Sequence, residues 1–74
     1  MKPAMNTSEI HFVVEEAPEG GYIARSVGEG LFTEADDIPG LRARVRDAVR
    51  CHFDDGNVPG LIHLHFTQEE VIVL

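Results

Sequence analysis

Residues 9–16 read Glu9-Ile10-His11-Phe12-Val13-Val14-Glu15-Glu16, and residues 22–27 read Tyr22-Ile23-Ala24-Arg25-Ser26-Val27. The first run alternates: Ile10, Phe12 and Val14 share one face, while His11, Val13 and Glu15 share the other. That period of two is the mark of a strand with one face buried. Between the runs lies Ala17-Pro18-Glu19-Gly20-Gly21. Proline stops a strand and glycine supplies the positive φ of a tight turn, so residues 9–27 are expected to form a β-hairpin. Gly28-Glu29-Gly30 is a second turn, leading to a short third strand at Leu31-Phe32-Thr33.

Outward from this meander, the period changes. Leu41, Val45, Ala48, Val49 and His52 recur at spacings of three and four, giving one apolar helical stripe that must pack on the sheet. Asp36 and Asp37 precede it, where a carboxylate accepts from free backbone N–H groups and suits the positive end of the helix dipole. The helix should begin near Ile38, with Pro39 tolerated in its first turn and Gly40 weakening that turn. It should fray near Phe53 and stop by Asp54-Asp55-Gly56-Asn57. Alternation returns in Leu61-Ile62-His63-Leu64-His65-Phe66, and Val71-Ile72-Val73-Leu74 is an apolar run with the look of a further strand. The fold class is α+β, in the order β-β-β-α-β(-β): an antiparallel three-stranded meander, one helix packed on it, and C-terminal strand(s).

Seventy-four residues make one domain, 1–74, with residues 1–8 as a flexible lead. A core this thin often gains stability from a second copy, so a homodimer or higher oligomer is expected, with Val71, Ile72 and Val73 as its interface. A single cysteine excludes an intramolecular disulfide. The start has no apolar signal-peptide core, and no run approaches a membrane span, which points to a cytoplasmic protein without membrane contact. The net charge is −7, which disfavours general binding to nucleic acid. Residues 41–50 nevertheless carry a net +3, leaving −10 on the rest.

No catalytic set is legible. Cys51 and His52 are adjacent, but neighbouring helical side chains diverge by about 100°. Cys51 reads as a small semi-buried packing residue, and His52 as the end of the apolar stripe. Glu15 and Glu16 point to opposite faces of their strand, and the remaining acidic pairs sit in caps and turns. His63 and His65 emerge on one face, a usable first half of a zinc site that would need His11 as its third ligand, yet such pairs are more often polar surface. We therefore expect no enzyme activity, no metal and no cofactor. Arg42, Arg46 and Arg50 form a row on the helix, on the side away from Leu41 and His52. It reads as a solvated face, or as an electrostatic contact with a sister subunit or a nucleic-acid backbone.

The segment Glu16-Ala17-Pro18-Glu19-Gly20-Gly21-Tyr22-Ile23-Ala24, followed by Thr33-Glu34-Ala35-Asp36 and the helix from Leu41 to Ala48, resembles the N-terminal domain of HicB-type antitoxins. The likeness spans residues 9–53, about two-thirds of the chain. It implies a pared-down ribonuclease H-like sheet, and a partner that is a small basic toxin cleaving messenger RNA. Opposite charge speeds such an encounter, which singles out Glu15, Glu16 and Glu19 as partner-binding residues; Arg42, Arg46 and Arg50 are partner-binding candidates as a charged row of their own. Gly40 departs from the family's usual helix former. The chain also stops at Leu74 without the family's DNA-binding domain, so operator binding is not implied. The alternative is an RNA- or DNA-binding protein using the Arg42/Arg46/Arg50 face.

Overall fold

A computed structural model of the chain describes residues 8–68 and 70–74. The elements are β1 (Glu9–Glu16), β2 (Tyr22–Ser26), β3 (Phe32–Ala35), α1 (Ile38–His52) and β4 (Leu61–Phe66). They form a four-stranded sheet in the order β3-β2-β1-β4. The meander pairs antiparallel, with Val14 opposite Ala24 and Ala24 opposite Thr33, whereas β4 runs parallel to β1 with Phe12 opposite Leu64. The expected α+β layout is the observed one.

The alternation in β1 decides which face is covered. Ile10, Phe12 and Val14 point inward and are buried with Ala24, Leu41, Val45 and Val49; among the described residues no polar side chain joins them. Burying a side chain such as Phe12 completely contributes roughly 1.5–3 kcal/mol, so these few residues supply most of the apolar driving force. Tyr22, Leu31, Phe53, Ile62 and Leu64 close the margins of this core.

Local chemistry fixes the turns. Gly21 has φ +82°, and a Cβ there would sit 2.6 Å from the Ala35 carbonyl oxygen, so the β1–β2 turn can approach β3 only because that residue is glycine. The Ala17 N–H donates to the Gly21 carbonyl at 2.9 Å. Asp37 is the N-cap, its Oδ1 accepting from the Gly40 N–H at 2.8 Å. A Cβ on Gly40 would stand 2.8 Å from that same Oδ1, so Gly40 makes room for the cap in the turn it was expected only to weaken.

Three boundaries differ from the sequence reading. The third strand runs Phe32–Ala35 instead of 31–33, because Leu31 is occupied in closing the turn: its N–H donates to Ser26 Oγ and its carbonyl accepts from the Ser26 N–H. β2 ends at Ser26, one residue before Val27. Residues 71–74 form no strand and are exposed. Thr67 ends the β1–β4 ladder, donating to the Val14 carbonyl from both its N–H and its Oγ1. β1 itself turns away at Ala17, which leaves no neighbouring strand for a continuation. The expectation for residues 1–8 lies outside the described residues except at Ser8, whose carbonyl accepts from the Gly60 N–H at 3.0 Å.

Candidate functional site

Three surfaces remain once the core is placed. The first follows from a single helix covering a four-stranded sheet. α1 packs chiefly against β3 and β2, so the inward face of β4 is only partly covered. Ile62 and Leu64 floor an open groove of about 470 Å³ between β4 and the helix, which Val58, Pro59 and Leu61 also line. Arg42, Arg46 and Arg50 rim it. Each arginine follows one residue after Leu41, Val45 and Val49, so the row flanks the buried stripe at the β4 side, contrary to the expected face directed away from it. Among the described residues no carboxylate lies within ion-pair distance of these three arginines.

The second surface lies at the C-terminal ends of β1 and β4. Glu15, Glu16 and Glu70 line an open cleft with Ala17, Pro18, Thr67 and Gln68. Glu19 sits exposed in the adjoining turn. These carboxylates likewise have no cationic partner among the described residues.

The third is the outer face of the sheet. The parallel register sets His11 beside His63, and the period of two brings His65 onto the same face. The His11 and His63 rings stack with centroids 4.3 Å apart and planes 12° from parallel. His11 Nδ1 lies 2.8 Å from His65 Nε2. Glu9, two residues before His11 and therefore on the same face, places Oε1 2.6 Å from His63 Nε2 and 3.8 Å from His11 Nε2. The structure thus brings together the three histidines whose proximity the sequence left open, and adds a carboxylate that sequence reasoning missed. Its signal was the parity of positions 9 and 11 within one strand. Elsewhere on this face Val13 and Ile23 are half-buried, and Phe32 lies exposed under the Arg25 guanidinium, 5.7 Å from its centroid.

Two readings at the helix end are corrected. Cys51 is exposed rather than semi-buried. His52 does not close the apolar stripe; it is exposed and sits 3.5 Å from Glu29. Phe53, in extended conformation at the C-cap, packs against the core in its place. The exposed run Val71-Ile72-Val73 stands free of the sheet. No helix among the described residues is long and apolar enough to cross a membrane.

No family model matches the chain, and neither does any solved structure. The chain is similar to a UPF0150 protein of Thermotoga maritima, 36% identical over 66 residues that make up 89% of this chain and 93% of the relative. It is also similar to a UPF0150 protein of Archaeoglobus fulgidus, 46% identical over 50 residues, or 68% of this chain and 74% of the relative.

Proposed function

The chain belongs to the UPF0150 family, and from that premise we propose that it is a non-enzymatic, cytoplasmic protein-binding module. The observation that carries this reading is the open side of β4. Among the described residues it is an edge strand with no strand paired on its outer side, and its inward Ile62 and Leu64 floor the groove that the helix leaves uncovered. An edge strand beside an apolar groove with a charged rim suits a partner that adds main-chain hydrogen bonds and inserts apolar side chains.

The partner best matched to the rest of the surface is a small basic protein. The net charge of −7 and the unpaired carboxylates of Glu15, Glu16 and Glu19 would draw it in and fix its orientation. The HicB-like segment from Glu16 to Ala24 gives that partner its class: an RNA-cleaving toxin held inactive by this chain, which is then an antitoxin or an orphan relative. The exposed Val71-Ile72-Val73 run adds self-association into a dimer or larger oligomer. A nucleic-acid reading of Arg42, Arg46 and Arg50 is less well supported, because three arginines above an apolar floor offer a phosphate backbone little else.

Co-expression with the small basic protein encoded beside it tests this function. The chain should restore growth and suppress RNA cleavage by that neighbour, and a charge-reversed Glu15→Lys/Glu16→Lys variant should do so less well. Unchanged toxicity in the presence of folded chain would remove the antitoxin role. Binding to RNA that weakens steeply with salt and is lost in Arg46→Glu would instead favour the arginine row as a phosphate contact.

A further inference from the structure

We propose that Glu9, His11 and His63 form a binding site for a zinc-like transition-metal ion on the open face of the sheet, with His65 as a positioning residue. One ligand atom from each of Glu9, His11 and His63 lies within 4.8 Å of the other two, and Glu9 Oε1 approaches the Nε2 of both rings. Two imidazoles and one carboxylate are a donor set that Zn2+ takes when it keeps a further position for water or another ligand. With bonds of about 2.0–2.2 Å in tetrahedral array, ligand atoms stand roughly 3.3–3.6 Å apart. The observed separations of 2.6 and 3.8 Å from Glu9 Oε1 bracket that spacing.

Two further observations point to an ion. His63 Nε2 is shielded from solvent and makes no hydrogen bond. Its 2.6 Å approach to Glu9 has the distance of a charge-assisted bond without the geometry of one. A shielded nitrogen and a carboxylate oxygen in close approach are brought to balance by a cation bound to both. His11, in turn, is oriented through its other nitrogen. When the proton of the His11–His65 contact sits on His11 Nδ1, it donates to His65 Nε2 and leaves the His11 Nε2 lone pair free on the Glu9 side. This is how a second ring fixes the tautomer of a metal-ligating histidine.

Binding requires the stacked His11 and His63 rings to tilt apart so that both lone pairs meet one ion. Their side chains, with Glu9, are 39–45% exposed, so the motion is made at the surface and leaves the core undisturbed. Because Glu9 and His11 belong to β1 and His63 to β4, the ion would clamp the parallel edge strand to the centre of the sheet. A thin domain without disulfides gains stability from such a staple.

The test uses the untagged full chain, stripped with chelator and titrated with ZnCl2 by calorimetry, with thermal unfolding followed in parallel. One Zn2+ should bind per chain and raise the unfolding temperature. His11→Ala and His63→Ala should each abolish both effects, and His65→Ala should weaken binding by about 10- to 100-fold. His52→Ala, the remaining histidine, should change nothing. The substituted side chains lie outside the core, and circular dichroism of each variant checks the fold. Absence of binding, half an ion per chain, or binding that survives His11→Ala with His63→Ala would each overturn the site. These outcomes are independent of any partner, so failure here leaves the protein-binding reading standing, and the reverse.

Discussion

The two faces of the sheet are built from the same strands and do opposite things. On the inner face Phe12, Val14, Ala24, Leu41, Val45 and Val49 are all buried, without one polar side chain among them. On the outer face the intervening residues of β1 and β4 are Glu9, His11, Val13, Glu15, Leu61, His63 and His65. A one-residue slip in register would exchange the two sets, so the inner face holds the pairing in place and frees the outer one to carry chemistry. The difference teaches that the pleat alone separates the residues that build the core from the polar and titratable ones left on the outer surface, a few ångströms apart in one strand. β4 joins the two regimes, since its inward residues are covered only in part.

The contrast can be broken most severely at Phe12. Phe12→Ala should cost about 3–5 kcal/mol, enough to unfold much of a domain this small at room temperature, as read by urea denaturation. Gly21→Ala comes next. It places a Cβ 2.6 Å from the Ala35 carbonyl oxygen at a φ of +82°, and should cost about 1–3 kcal/mol by the same measurement. Asp37→Ala removes the helix cap on the Gly40 N–H and should cost about 1 kcal/mol. On the outer face Phe32→Ser should stay within about 0.5 kcal/mol of the parent, since Phe32 is more than half exposed. A large loss at Phe32 would mean that the outer face is covered in solution, most simply by a second copy.

Much of this architecture is legible in the sequence where alternation is strict. β1, α1 and β4 have the limits that their apolar periods and capping residues indicate. The reading failed where polarity and tertiary pairing disagree. Glu34 and Ala35 lack a strand's composition, yet Glu34 pairs with Ile23 and Ala35 with Tyr22 of β2, while the turn spends Leu31 on Ser26. Val71 to Leu74 have that composition and form no strand, for want of a neighbour. The histidine cluster was half visible. His63 and His65 share a face by parity, but His11 joins them only through the parallel β1–β4 register, which no local pattern encodes. The arginine row is legible as a row, but it lies about a quarter turn from the face opposite the apolar stripe, because the helix sits toward β3 and opens its β4 flank.

The separation of roles is tested most directly by nuclear magnetic resonance of the labelled chain, titrated with the purified basic protein encoded next to it. The predicted result is saturable shifts at β4, along the groove flanked by Arg42, Arg46 and Arg50, and at Glu15 to Glu19, with the amides of Phe12 and Val14 little changed. Spectra that stay unchanged at equimolar partner, or shifts spread evenly through the core strands, would contradict it.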